Sequence, residues 1–372
     1  MKSRIFFSMM LAAFLLASQN ACARNNGSAK AGAQRQHTSQ KSAASIKQRH
    51  QGAQDLQRAS VVPAKEIEYG RMIPWPELAG MLKRDGLDAT YVDALFATLG
   101  TPPSLKPMGV KVRELYSNRF LPKKTKHKVT TFETELGIPG PWFKGVVTQA
   151  NARACRSYID DHAVAFANAE IQSGVPQEVA AALLFVETRL GGYIGEHNAF
   201  FNLASMSVTR DPFALSAYLD KLPGAYDRLD WIQEKMNVKA DWAYGELRAL
   251  LDYCFLNGMD PLQISGSIYG AIGLCQFMPS NISKRGLDGD GDGKIDLFGT
   301  ADAVASLSNY LRRSGWRDGI DLQRQIRVLR SYNAMNIYAR TILALAETIR
   351  RLDALPADQE GEEEKEGKKE GA

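Results

Sequence analysis

The chain has 372 residues, enough for two or three modest domains and a sizeable core. Hydrophobic residues make up 45% and charged residues 23%, ordinary globular values that exclude a chain disordered throughout. The formal net charge of +5 suits an anionic partner such as wall polymer or a membrane surface, and it makes no case for nucleic acid.

Lys2 and Arg4 precede an apolar run over residues 5–17, and Ala21-Cys22-Ala23 has the A-x-A form of a signal-peptidase site. The run is too short to span a bilayer comfortably, so residues 1–23 read as a signal peptide and a periplasmic or secreted location is expected. Lipidation at Cys22, giving an outer-membrane lipoprotein, is the less favoured reading, because Gln19 stands where a lipobox wants an aliphatic residue. Once Cys22 is removed, Cys155, Cys254 and Cys275 allow one disulfide and leave one thiol over; no spacing chooses the pair or forms a zinc site. Residues 24–62 are rich in Ala, Ser, Gln, Gly and basic residues, and cannot bury enough apolar surface to offset their ordering entropy. They read as a disordered basic tether, either a plain linker or a weak contact to anionic wall polymer or membrane surface.

Ordered structure is expected from about Ile67. Residues 75–82 and 89–99 space their apolar side chains as helices, and Gly100-Thr101-Pro102-Pro103 ends them. Together with the stretch through Tyr116 and a basic patch over 123–128, they make an N-terminal helical lobe within residues 63–144. A core over residues 145–355 opens with one long predicted helix at 145–173, followed by a buried helix from Pro176 to the Gly191-Gly192 pair. The 200–203 and 212–222 stretches read as loop and helix, and 247–255 as a helix ended by Asn257-Gly258. Helices at 302–314 and 321–352 complete the core, and residues 356–372 form a charged, low-complexity tail expected to be disordered.

Three stretches carry chemistry. Glu187 stands in the last turn of the buried helix, directly after Leu183-Leu184-Phe185-Val186. The negative end of the helix dipole and the apolar neighbours both raise its pKa, as a general acid working near neutrality requires. The plainer reading is a buried carboxylate paired with Arg189 or another base. Second, residues 266–280 (GSIYGAIGLCQFMPS) hold four glycines among small and apolar residues, which allows close backbone approach. No Lys-Ser/Thr follows, so this is not a phosphate loop, and Gln276 is a lone amide suited to a sugar hydroxyl. Third, Asp288, Asp290 and Asp292, with Gly293 in sixth place and Ile295 in eighth, match the calcium loop of an EF-hand. Position twelve is Gly299 rather than Glu; the next usable carboxylate is Asp302, so the loop is lengthened, over 288–302. No second such loop is visible, so a structural calcium is expected rather than a sensor.

Taken together, VETRLGGYIG around Glu187, the 266–280 stretch, the lengthened calcium loop, Ser308-Asn309-Tyr310 and Tyr332-Asn333 resemble the B-type lytic murein transglycosylases, bacterial enzymes that cleave peptidoglycan. The resemblance covers residues 116–352. It implies a mostly α (α+β) fold with a lysozyme-like core, the calcium loop on that core and the N-terminal helical lobe before it. It implies Glu187 as the sole catalytic carboxyl, and calcium held by Asp288, Asp290, Asp292 and Asp302 with the main chain of Lys294. Tyr116, Ser267, Gln276, Tyr310, Tyr332, Asn333 and Tyr338 fall where that family lines its glycan groove. The implied partner is a peptidoglycan glycan strand, with no organic cofactor and a monomeric protein. Glu187 would protonate the bond between N-acetylmuramic acid and N-acetylglucosamine, then serve as base while the muramic 6-hydroxyl closes a 1,6-anhydro ring. A hydrolytic muramidase and a non-catalytic wall-binding protein are the alternatives. Residues 205–210 (SMSVTR) depart from the family's aromatic residue and paired arginines, so outer subsites are not readable.

Overall fold

The computed structural model describes residues 69–122 and 136–354. The expected signal peptide, basic tether, 123–128 patch and charged tail lie outside the described residues. The order of elements is α1 (Trp75–Arg84), α2 (Ala89–Ala97), α3 (Lys106–Phe120), α4 (Gln149–Asp161), α5 (Ala163–Ser173), α6 (Gln177–Thr188), β1 (His197–Asn198), α7 (Ala199–Val208), α8 (Ser216–Leu219), α9 (Leu229–Asn257), β2 (Ser265–Gly266), α10 (Pro279–Arg285), α11 (Thr300–Arg313), α12 (Leu322–Tyr332) and α13 (Asn336–Arg350). None of the described helices is long and apolar enough to cross a membrane.

Helices α1 and α2 form where the apolar spacing places them, with the Asp88 side chain capping α2 by accepting from the Tyr91 N–H. They bury Leu78, Leu82, Val92 and Leu95 against each other, and Phe96 meets Phe200 of α7 edge to face at 5.8 Å. Helix α3 lies against α7 and α9. Tyr116 therefore falls inside a helix, in a stretch whose own periodicity predicts no element.

The centre of the molecule is α6, buried at every position from Val179 to Thr188. An all-apolar helix has no face to give to water, so it is covered by α4, α5, α11 and α13. Pro176 sits at the cap rather than at the first helical position.

Two predicted helices are each divided. The one expected at 145–173 starts only at Gln149, where Thr148 caps it, and is interrupted at His162. Asp160 and Asp161 crowd the negative end of α4, which disfavours continuation there. The break also lets α4 pack on α6 and α13 while α5 packs on α11. The one expected at 321–352 opens at Asn333, whose extended backbone (φ −142°) and Oδ1, accepting from the Met335 N–H at 3.3 Å, end α12. Helix α9 runs the other way, beginning at Leu229 instead of 247, and ends as expected with Gly258 left-handed at φ 68°.

The sheet is two residues per strand, antiparallel, with His197 opposite Gly266 and Asn198 opposite Ser265. Gly195 (φ 111°) leads into it at a point where a Cβ would lie 2.1 Å from the Gly266 carbonyl oxygen, so only glycine fits. Cys155, Cys254 and Cys275 are all buried and free, which corrects the expectation of a disulfide: each lies in apolar packing that pushes its thiol up to about 12.

Candidate active site

Helix α6 delivers Glu187 at its C-terminal turn and then stops abruptly. Arg189 and Leu190 both adopt the left-handed region (φ 55° and 57°), and the Arg189 and Leu190 N–H groups return to the carbonyls of Phe185 and Leu184. Thr188 fixes this end: its hydroxyl donates to the Leu274 carbonyl at 2.9 Å and accepts from the Gly191 N–H at 3.1 Å. The glycine-rich stretch is thereby fastened directly beside the acid.

Glu187 is 6% exposed. Burial pushes its carboxyl up to about 7, opposed by the Tyr338 hydroxyl, which donates to Oε1 at 2.6 Å. No cation enters that balance. Arg189, the ion-pair partner that sequence offers, instead holds its guanidinium 4.9 Å over the Phe185 ring. Tyr338, Tyr332 and Cys275 all sense the Glu187 charge, and among the described residues no carboxylate contributes to the shift of Glu187 itself. The arrangement suits one group giving and retaking one proton.

An aromatic wall stands beside the acid. Tyr332 stacks on Tyr338 with centroids 6.5 Å apart and planes 11° apart, and its hydroxyl donates to the Cys275 carbonyl. Tyr310 meets Tyr332 edge to face at 4.9 Å and donates its hydroxyl to the Ser331 carbonyl at 2.7 Å. The α12–α13 break places Asn333, 3% exposed, directly after Tyr332. Gln276 adopts φ 50°; its Nε2 donates to the Ile194 and Gly273 carbonyls at 3.2 and 3.1 Å, leaving Oε1 buried without a partner. Ser267 uses its hydroxyl within its own turn, accepting from the Tyr269 and Ala271 N–H groups. Tyr116 stands apart from the others. It is 0% exposed, packs on Phe120 and Trp231, and donates to the Pro223 carbonyl at 2.7 Å, away from the cluster of Tyr310, Tyr332 and Tyr338.

No sequence pattern marks Thr188 or the cluster of Lys111, Glu114 and Tyr269, whose members come from α3 and the 266–280 stretch. Tyr269 alone lies within the glycine-rich motif, and a tyrosine among glycines was its available signal.

Of the predicted calcium ligands, Asp288, Asp290 and Asp302 converge, each offering an oxygen within 4.8 Å of the others. Backbone N–H groups shape the loop. Gly291 and Gly293 donate to Asp288 at 2.6 and 2.8 Å, and Gly289 and Asp296 donate to the two oxygens of Asp302 at 2.6 and 2.5 Å. These bonds hold the Asp288 carboxyl below its usual range, whereas burial raises that of Asp302. Asp292 lies outside the trio and accepts from the Lys294 N–H at 2.8 Å. An all-oxygen carboxylate set on a tight glycine-bearing loop fits a hard divalent cation.

The mostly helical fold with its two-stranded antiparallel sheet is of the lysozyme-like class. Residues 74–368 match the family described as the transglycosylase SLT domain, and the chain belongs to that family. Over 193 residues it is 29% identical to the membrane-bound lytic murein transglycosylase B of Escherichia coli K12, an alignment covering 51% of this chain and 46% of that protein. The chain thus spans about half the length of the curated relative it matches. Among solved structures, the E. coli lytic transglycosylase Slt35 in complex with calcium superposes with a TM-score of 0.54 at 20% identity, covering 76% of this chain and 94% of that one. SltB3 of Pseudomonas aeruginosa in complex with NAG-anhNAM-pentapeptide gives a TM-score of 0.52 at 18% identity, covering 74% and 78%. At these identities the two likenesses show a shared fold.

Proposed function

We propose that this protein is a lytic transglycosylase that cleaves the β-1,4 bond between N-acetylmuramic acid and N-acetylglucosamine in peptidoglycan. The observation that carries the reading is Glu187, a buried carboxyl raised to about 7, with a phenol donating to it and, among the described residues, no carboxylate contributing to its shift. An ordinary glycosidase needs two carboxyl groups flanking the bond. With one, the second role passes to the substrate. Glu187 gives its proton to the glycosidic oxygen as the bond to the muramic anomeric carbon breaks, and the substrate's own acetamido group stabilises that carbon. Glu187, now a carboxylate steadied by Tyr338, takes the proton of the muramic 6-hydroxyl as its oxygen bonds to the anomeric carbon, closing the 1,6-anhydro ring. The acid ends protonated, ready for another cycle.

Around the acid, Tyr310, Tyr332 and Tyr338 form the aromatic side of the groove, and the orphaned Oε1 of Gln276 accepts from an acetamido N–H or a sugar hydroxyl. Ser267 and Asn333 line the same stretch. Tyr116 contributes packing behind it instead of contact with the glycan. Calcium, held by Asp288, Asp290 and Asp302 with Asp292 and the Lys294 main chain completing the shell, fastens the loop to the start of α11 and takes no part in the reaction. Export through residues 1–23 delivers the protein to the compartment that holds its substrate, as a monomer.

Digestion of purified sacculi followed by mass spectrometry tests the reading: the expected muropeptides end in 1,6-anhydromuramic acid, and reducing ends in their place would mean hydrolysis. Glu187→Gln should abolish release of either product, and an unchanged yield would remove Glu187 from the mechanism.

A further inference from the structure

Lys111, Glu114 and Tyr269 form a second cluster of ionisable groups, in which Lys111 and Tyr269 are buried and Glu114 is partly exposed. Lys111 of α3 is 0% exposed, and its Nζ has no hydrogen-bond partner. It sits 3.6 Å above the centroid of the Tyr269 ring and 3.6 Å from Oε2 of Glu114, one turn along α3. The Tyr269 hydroxyl donates to that same Oε2 at 2.8 Å. Burying an ammonium such as that of Lys111 is unfavourable unless it is engaged, and an apolar residue would pack there at less expense. The three side chains tie α3 to the turn that carries Tyr269. Lys239 of α9 and Arg113 of α3 are the other charged groups facing the cluster.

From Tyr269 a chain of hydrogen bonds leads to the end of α6 that carries Glu187. The Ser267 hydroxyl accepts from the Tyr269 and Ala271 N–H groups at 3.3 and 3.0 Å, and the Ser267 N–H donates to the Ala271 carbonyl at 2.8 Å. Ile272 and Phe277 exchange both backbone hydrogen bonds, at 2.9 and 3.0 Å. Between them, the Leu274 carbonyl accepts from Thr188 and the Cys275 carbonyl from Tyr332. Hence the turn held by Lys111 and Glu114 belongs to the same hydrogen-bonded stretch whose Cys275 lies beside Glu187.

We propose that Lys111, Glu114 and Tyr269 are positioning residues: a clamp that holds the 266–277 stretch against Glu187 and keeps water from the acid. The inference rests on the transglycosylase reading given above. Glu187 is faced by Tyr338 from α13, Tyr332 from α12 and Cys275 from the clamped stretch. Releasing the clamp loosens only the last of these sides. Water entering there stabilises the carboxylate, so the acid ionises at lower pH.

The test uses Tyr269→Phe, Glu114→Gln and Glu114→Ala in the full chain, with soluble glycan oligomers as substrate and kcat and KM measured across pH. Tyr269→Phe keeps the ring under Lys111 and removes only the hydroxyl. It should fold, lose about tenfold in kcat with KM within about twofold, and shift the alkaline limb of the pH profile downward. Glu114→Gln still accepts from Tyr269 and should retain most of the activity, while Glu114→Ala should behave like Tyr269→Phe. A second readout is independent of turnover: the carboxyl titration of Glu187 by carbon-13 NMR, assigned by its loss in Glu187→Gln, should move to lower pH in Tyr269→Phe. An unchanged Glu187 titration in that variant overturns the clamp whatever the activity. Absence of anhydro product from the wild type, with the titration shift intact, would overturn the reaction instead and leave the clamp standing.

Discussion

Glu187 and Tyr338 divide the electrostatics of the site between them. Burial holds the proton on Glu187, and the phenol eases its departure by donating to the carboxylate that remains. Tyr338 is itself fully buried beside that charge, which raises its own pKa well above the usual phenol value and keeps it a donor at any working pH. The sign of a substitution follows. Tyr338→Phe deletes the one influence that lowers the Glu187 pKa, so the acid should stay protonated to higher pH. The alkaline limb of kcat/KM, expected in the wild type to fall as pH rises through about 7, should move upward. At its own optimum the variant should still be slower by about a hundredfold, because the developing carboxylate loses a preorganised donor. A pH–rate series on soluble oligomers checks both effects. The direction separates this residue from Tyr269, whose loss is expected to move the same limb downward. A variant with an unshifted limb would mean that the 2.6 Å hydrogen bond has no bearing on the proton that matters.

At the level of elements, the site is made where helices end. Glu187 closes α6, Tyr332 closes α12, and Tyr338 lies in the first turn of α13. Thr188 ties the first of these ends to the glycine-rich stretch, and Thr188→Val is nearly isosteric while removing the hydroxyl. It leaves the Leu274 carbonyl and the Gly191 N–H without their partner, a loss of about 1–3 kcal/mol. The expected result is a lower melting temperature by thermal scan together with reduced kcat; a variant as stable as wild type would mean that water replaces the hydroxyl without penalty. The same helix ends explain what could be read in advance. Helix α6 and its Gly-Gly stop were legible because an unbroken apolar run followed by glycines has few other solutions. The division at Asn333 was not, since a helical period continues on both sides and only the side-chain bond to the Met335 N–H interrupts it. Helix α9 was seen over its apolar C-terminal part, while its first turns, rich in Lys, Asp and Glu, hid their periodicity in solvent-facing residues. The burial of Tyr116 depends on Phe120, Trp231 and the distant Pro223 carbonyl, and no local pattern encodes that.

On the scale of the whole molecule, the acidic loop is the place where the fold is held together against its own charge. Asp288, Asp290 and Asp302 bring three carboxylates within 4.8 Å of one another, two of them exposed and the third buried at the start of α11. Like charges at that spacing repel, and the backbone N–H groups of Gly289, Gly291, Gly293 and Asp296 offset only part of the repulsion. A calcium ion bound there, as proposed, would neutralise the rest. It binds the folded loop and not the open chain, so it should stabilise by about 2.7 kcal/mol at a hundredfold excess over its dissociation constant, or about 5 °C in melting temperature. Asp290→Asn tests the charge argument from both sides, because its amide oxygen can still accept from the Asp292 N–H while one negative charge is gone. In chelator, where repulsion acts alone, the variant should melt no lower than wild type and somewhat higher. In millimolar calcium the order should reverse, because the wild type gains the ion and the variant binds it weakly. Equal melting temperatures for the wild type with and without calcium would leave the three carboxylates as a hydrogen-bonded turn. The reversal, if observed, makes the ion a condition for the geometry of α11, the helix that supplies Tyr310 to the aromatic wall beside Glu187.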